Sequence, residues 1–186
     1  MIYFTSDLHF GHDREFIYGP RGFNSIYKHD IEIIERWNSI VGHGDEIYVL
    51  GDLMLGADHE YGLNCLQELN GQIYVIEGNH DTATRLKEYA SLSHIKLIGL
   101  AYILKTEGWK FYLCHYKTET SCLENMARIK NHLINLHGHT HSCYKFENGN
   151  PYQYNVALDA HDCFPVNIFK IQHDIEQEVQ KCLSFL

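Results

Sequence analysis

The stretch IYFTSDLH, residues 2–9, reads as a short buried strand that runs straight into an aspartate and a histidine. The same grammar recurs twice. EIYVL (46–50) leads into Gly51 and Asp52, and QIYVIE (72–77) leads into Gly78, Asn79, His80 and Asp81. Between the first two strands, HDIEIIERWNSIV (29–41) reads as a helix with Ile31, Ile34, Trp37, Ile40 and Val41 on one face and Asp30 as its cap. EYGLNCLQEL and ATRLKEYA read as two more helices. The first half is therefore β-α-β-α-β, which favours parallel strands under covering helices.

The second half changes character. AYILKTEGWKFYLCH (101–115) holds two strand-like runs around Glu107 and Gly108, a hairpin pattern. LINLHGHTH, YQYNVALD and VNIFKI are further strand candidates, and LENMARIKNHL (123–133) reads as a helix between two of them. The tail DIEQEVQKCL fits either a last helix or a strand extension. No linker, repeat or low-complexity run divides the chain, so one domain over residues 1–186 with two sheets is the expectation.

Composition narrows the function classes. At 186 residues the chain can bury a proper core, and 45% hydrophobic with 21% charged residues is ordinary globular usage. A formal charge of −9 disfavours a protein that coats long nucleic acid through a basic face. Fourteen histidines are many for this length, and with carboxylates they suit the capture of metal ions. The opening run is too short and too soon charged for a secretory signal, and no stretch approaches the ~18 apolar residues of a membrane span. The six cysteines show no C-x-x-C pairing, so reduced thiols in a cytoplasmic protein are expected.

The decisive feature is where the polar clusters fall. Asp7 and His9, then Asp52, then Asn79, His80 and Asp81, then His115, then His139 and His141 each follow the carboxyl end of a candidate strand. Open α/β sheets place their ligand crevice there. One such cluster would be turn or cap chemistry. Five in register with five strands are not.

In that order, D-x-H, G-D, G-N-H-D, a later His and G-H-T-H resemble the calcineurin-like metallophosphoesterases, and SDLHFGH, LHGHTHS and NVALDAHDCFPV are similar to their small bacterial and phage-type members. The resemblance implies an α/β fold, a two-sheet β-sandwich flanked by helices in four αββα layers, with two metal ions at one edge. It also implies Asp7, His9 and His141 on one ion, Asn79, His115 and His139 on the other, Asp52 bridging, and His80 beside them. The activity implied is hydrolysis of a phosphomonoester or phosphodiester by in-line attack of a metal-bridging hydroxide.

The residue types suit that chemistry on their own terms. Two ions can neutralise phosphate oxygens and lower the pKa of bound water. Two aspartates leave such a centre electrophilic, and the mixed N/O donor set suits Mn, Fe, Zn or Ni. The leaving alkoxide needs a proton, for which His80 is the candidate general acid, with Asp81 to orient or charge it. Cys114, next to His115, reads as core. His12, Arg14 and Arg21, with Asn79, are candidates to touch substrate, and His161, Tyr116 and Asn155 are weaker ones. His137 reads as packing. The expected partner is a small phosphate ester, a nucleotide among the options. The competing readings are a family scaffold that has lost catalysis and a histidine-rich metal buffer. Oligomeric state is not legible.

Overall fold

The computed structural model describes residues 1–106, 108–121 and 126–184. Its first sheet contains β1 (Ile2–Thr5), β2 (Glu46–Leu50), β3 (Gln72–Ile76), β4 (Ile95–Gly99) and β9 (Val166–Asn167) in the order β4-β3-β2-β1-β9. β1 to β4 run parallel and β9 pairs antiparallel with β1. The second sheet contains β5 (Ala101–Thr106), β6 (Trp109–Cys114), β7 (Leu133–His137) and β8 (Gln153–Asn155) in chain order. Its β5–β6 pair is the expected antiparallel hairpin, whereas β7 and β8 add in parallel. Two mixed sheets flanked by helices match the expected architecture.

Two apolar layers hold these parts together. Phe4, Tyr48, Leu50 and Ile76 of the first sheet meet Phe111, Leu113, Ile134 and Leu136 of the second. On the other face of the first sheet, Ile47, Val49, Ile73 and Val75 pack with Ile33 and Trp37 of α2 (Ile26–Ile40), Cys65 and Leu66 of α3 (His59–Gln67) and Tyr89 of α4 (Ala83–Tyr89). Strand residues alternate between these faces, so Tyr3–Phe4, Ile47–Leu50 and Ile73–Ile76 of β1 to β3 form continuous apolar or aromatic runs because both sides are covered. α5 (Ile168–Ser184) buries Ile168, Ile171, Ile175 and Val179, spaced three and four apart, into the inter-sheet core. None of the described helices is long and apolar enough to cross a membrane.

Several local readings are corrected. α2 starts at Ile26 and is capped by Ser25, whose side chain accepts from the Lys28 amide; Asp30 lies inside the helix, not at its start. Its buried face is His29, Asp30, Ile33 and Trp37, while Ile31 and Ile40 are exposed. The polar pair can face the core because His29 Nδ1 lies 2.7 Å from Asp30 Oδ1. VNIFKI contributes only Val166–Asn167 to a strand; Asn167 Oδ1 accepts from the Lys170 amide and starts α5, which makes the tail helical. Of the helix expected over 123–133, the described part is a 3-10 segment, Met126–Asn131, broken at Arg128; residues 123–125 lie outside the described residues. β4 has no counterpart in the sequence reading.

Candidate functional site

The carboxyl ends of β1, β2, β3, β6 and β7 converge on one edge of the sandwich and bring the strand-end clusters together. Asp7, His9, Asp52, His139 and His141 all sit at positive φ, between 48° and 67°. Such backbone costs on the order of 1–3 kcal/mol per residue outside glycine and collects at functional sites. It also shortens the strand candidate LINLHGHTH: β7 stops at His137, and His139 and His141 follow in left-handed turns. His137 stays buried in the strand, as expected of a packing residue.

Two groups of donors result. In the first, Asp7 Oδ1 lies 3.8 Å from both His9 Nε2 and His141 Nε2, and the two imidazole nitrogens are 3.2 Å apart. In the second, His115 Nε2 lies 2.8 Å from Asn79 Oδ1, 3.1 Å from His139 Nδ1 and 3.5 Å from Asp52 Oδ2. Ligand atoms about 2.1 Å from one ion are about 3.0–3.4 Å apart in octahedral or tetrahedral geometry, and the separations in both groups fall within a few tenths of an ångström of that span. Asp52 Oδ2 is also 3.8 Å from His9 Nε2, which puts it between the groups.

Three observations test the fit. Asp7 Oδ1 is buried with no hydrogen-bond partner among the described residues, although its other oxygen accepts from the His139 amide at 2.9 Å. His115 Nδ1 donates to the Leu50 carbonyl at 2.7 Å, which turns its Nε2 toward Asn79 Oδ1, 2.8 Å away, and His139 Nδ1, 3.1 Å away. A backbone carbonyl on the far nitrogen is a usual partner of a metal-binding imidazole. Burial, with His141 next, pushes the His9 imidazole well below its usual pKa, and burial with His115 lowers His139, so both favour the neutral ligand form. Burial also raises the Asp52 carboxyl, with Asp7 and Asp81 adding to the rise against the lowering pull of His115. The residues fit metal ions.

Close packing of turns makes this convergence possible. A Cβ on Gly78 would collide with Asp52 Oδ1, and one on Gly138 with Ser6 Oγ and Asp7 Oδ2. These glycines are needed for contact between neighbouring turns rather than for the turns themselves.

His80 stands at the mouth. Its amide donates to Asp52 Oδ1 at 2.9 Å and its carbonyl accepts from Arg85 Nη1 at 2.7 Å, while its imidazole is 40% exposed, with Nε2 4.0 Å from Asp52 Oδ2. Asp81, expected to orient that ring, is turned elsewhere. Its carboxylate accepts from the amides of Asp52, Leu53 and Gly78 and from Tyr89 Oη, and so ties the β2 and β3 turns together.

The substrate candidates separate in the same way. His12 lies beside the site, its ring 5.5 Å from His9 and 5.7 Å from Phe16. Tyr116 packs edge-on against His115 and His139 at the rim. Arg14 is exposed on the loop before the short helix α1 (Glu15–Tyr18). Arg21 is not brought to the opening: its side chain is 1% exposed and its donors go to Asp159, the Asp7 carbonyl and His29. Asn155 is buried and holds the carbonyls of Ser142 and Tyr144, and His161 donates to the Asn155 carbonyl, so neither lines the opening. Cys114 is half-buried and outside both donor groups. The sequence reading missed Arg85, Tyr89 and Asp159. Asp159 lies in the quoted NVALDAHDCFPV tail, but nothing there marks it as facing His141.

Residues 1–156 match the model of the calcineurin-like phosphoesterase superfamily domain. The chain is similar to an uncharacterized protein of Methanocaldococcus jannaschii, 29% identical over 181 residues that cover 95% of this chain and 92% of that one. It is also similar to the Gene 66 protein of Mycobacterium phage D29, 30% identical over 202 residues, covering 95% and 98% of the two chains. A crystal structure of a protein of unknown function from Aquifex aeolicus shares the fold, with a TM-score of 0.67 at 22% identity over 95% of this chain and 98% of that one. The family match spans β1 to β8 and every donor of the two groups, and the chain therefore belongs to the calcineurin-like phosphoesterase superfamily, enzymes that hydrolyse phosphate esters with the help of metal ions.

Proposed function

We propose that this phosphoesterase works as one domain with a two-ion centre and takes small phosphate esters. In this reading Asp7, His9 and His141 hold one ion, Asn79, His115 and His139 hold the other, and Asp52 reaches both. The observation that carries it is the orphaned, buried Asp7 Oδ1 facing the paired nitrogens of His9 and His141. A carboxylate oxygen left so costs about 1–3 kcal/mol or more, which a cation would repay. When bound, Mn, Fe, Zn or Ni would supply Lewis acidity toward phosphate and a nucleophile at neutral pH.

The chain's own part is positioning and proton transfer. His80 has its backbone fixed at both the amide and the carbonyl, while its ring stays half open to solvent beside Asp52. That is the placement a general acid needs for delivering a proton to a leaving alkoxide. His12 and Tyr116 flank the opening and would contact the ester. Arg14, exposed on the loop two residues beyond His12, would meet its charge.

The test is a titration of chelator-treated protein with Mn²⁺ and with Ni²⁺, followed by assay on a panel of aryl phosphodiesters, aryl phosphomonoesters and nucleotides. Two ions per chain with turnover on at least one ester class is the expected result. Two ions without turnover would favour the scaffold reading. Failure to bind either ion would overturn the centre itself.

A further inference from the structure

The two donor groups differ in what stands behind their imidazoles. His115 is held by a neutral backbone carbonyl, that of Leu50. Behind His141 stands a carboxylate: Asp159 Oδ2 lies 3.2 Å from His141 Nδ1. Asp159 in turn is gripped in bidentate fashion by Arg21, with Nε to Oδ1 at 3.0 Å and Nη2 to Oδ2 at 2.8 Å. The pair is buried, the side chains being 1% and 9% exposed.

Arg21 does more than neutralise Asp159. Its Nη2 also donates to the carbonyl of Asp7 at 2.8 Å, and its Nη1 lies 2.9 Å from His29 Nε2. His29 is paired with Asp30, whose Oδ2 accepts from the Gly11 amide at 2.9 Å. One guanidinium thereby links the backbone of Asp7, the carboxylate behind His141 and the loop that follows His9. Asp159 itself is delivered by a 3-10 turn, Leu158–Ala160, pinned to the end of β1 through the Leu158 amide and the Ser6 carbonyl. It lies beyond residue 156, where the family match ends.

We infer that Asp159, clamped by Arg21, is the positioning residue for His141, fixing the imidazole so that Nε2 faces Asp7 Oδ1 and His9 Nε2. The inference rests on the two-ion reading above. The physical reason is that His141 is one-third exposed on a left-handed turn, where its ring has room to rotate. A carboxylate that accepts the Nδ1 proton removes that freedom, leaves the Nε2 lone pair pointing inward and makes it a stronger donor. A bidentate guanidinium stops the carboxylate itself from rotating.

The experiment compares wild type with Asp159→Asn and Arg21→Lys, titrating chelator-treated full-length protein with Mn²⁺ alone and following free Mn²⁺ by electron paramagnetic resonance. In Asp159→Asn, one of the two ions is expected to bind about 10–100-fold more weakly while the other keeps its affinity. Arg21→Lys is expected to shift the same ion in the same direction by less. A structural role alone would weaken both ions together or neither, and that result would overturn the assignment. Wild type that binds no Mn²⁺ would instead overturn the two-ion reading. Because Asp159→Asn strips a buried guanidinium of its counter-charge and can unfold the chain, wild type carries a second readout. Long-range ¹H–¹⁵N correlation spectra at about pH 9, where imidazole is neutral, should show His141 protonated on Nδ1. Protonation on Nε2 would overturn the inference without any variant.

Discussion

Two polar clusters in this molecule are built on opposite terms. At the strand ends, five candidate ligands sit in left-handed backbone, and Asp7 Oδ1, His9 Nδ1 and His12 Nδ1 are buried with no hydrogen-bond partner among the described residues. On α5, Asp174 is the reverse. Its Oδ2 accepts from Lys145 Nζ at 3.0 Å and from Tyr154 Oη at 2.8 Å, and its Oδ1 accepts from Lys170 Nζ. The first cluster keeps polar groups unsatisfied for a ligand, and the second satisfies them within the fold. Substitution of the groups that face the opening and of those around Asp174 should therefore read out different quantities, with Asp81, which ties the strand-end turns together, between them.

The largest expected effect lies at the mouth of the strand-end cluster. His80→Ala should lower turnover on an alkyl phosphate ester by about 10²–10⁴-fold, the usual share of general acid catalysis. In barrier terms that is about 3–5 kcal/mol. Both ions should remain bound and the metal-free melting temperature should hold, because the His80 ring is 40% exposed and meets His9 edge-on with ring centres 5.7 Å apart. Steady-state kinetics on alkyl and aryl esters would check this, with a smaller loss on the aryl ester, whose phenolate leaves without a proton. An unchanged alkyl rate removes His80 from the mechanism.

Asp81→Ala comes next and should fall mainly on stability, although Asp81 neighbours His80 in sequence. It leaves the amides of Asp52, Leu53 and Gly78 and the Tyr89 hydroxyl without their common acceptor. The expected loss is about 3–4 kcal/mol by urea unfolding, since buried donors left unmatched cost far more than an average hydrogen bond contributes. Tyr89→Phe removes only one of the four donors and should cost about 1 kcal/mol. If Asp81→Ala kept full stability and lost only turnover, Asp81 would return to the role of orienting His80.

Asp7→Asn should expose the trade directly. In chelator the variant should be the more stable protein, by about 1–2 kcal/mol, because a neutral amide in place of the carboxylate removes a buried charge whose Oδ1 has no hydrogen-bond partner among the described residues. With saturating Mn²⁺ the order should reverse, since wild type gains the stabilisation of a ligand that binds only the folded state. Thermal melts with and without metal would show the crossing. A metal-free variant less stable than wild type would mean that Asp7 is satisfied in a way its geometry does not show.

The sequence revealed one of these clusters and hid the other. Strand-end donors are legible because each follows its own strand within a few residues, and β1 to β3 announce themselves by unbroken apolar runs. What holds the donors in place is not legible. Arg21 reaches Asp159 across 138 positions, and Asp81 accepts from amides that any residue would carry. The strand candidate LINLHGHTH runs too far because alternation suggests a strand to its end, whereas His139 and His141 sit in the abrupt redirection of left-handed turns. The face of α2 was misread for a related reason. Counting apolar residues passes over a His29–Asp30 pair that can occupy the core because each satisfies the other.

The smallest expected effect tests the satisfied cluster. Burial alone would raise the Asp174 carboxyl, but hydrogen bonds from Lys170, Lys145 and Tyr154 outweigh it and hold the group below its usual pKa. The charged form is therefore the one the fold favours. A carboxyl whose pKa is depressed on folding adds stability above its unfolded pKa and loses it as the pH falls through the folded value. His161, pushed down to about 4 chiefly by burial, is the other titrating neighbour, with Asp162 nearby. The Asp174 charge itself favours protonated His161, so the variant should feel that protonation somewhat more than wild type. Asp174→Asn should cost about 1–2 kcal/mol at neutral pH, and the gap to wild type should close as the pH drops below about 4. Mn²⁺ affinity should not move, since the side chain contacts Lys145, Tyr154 and Lys170 and no member of either donor group. A variant that weakened Mn²⁺ binding would show that the two clusters are coupled through the 142–146 loop, where Lys145 lies four residues from His141.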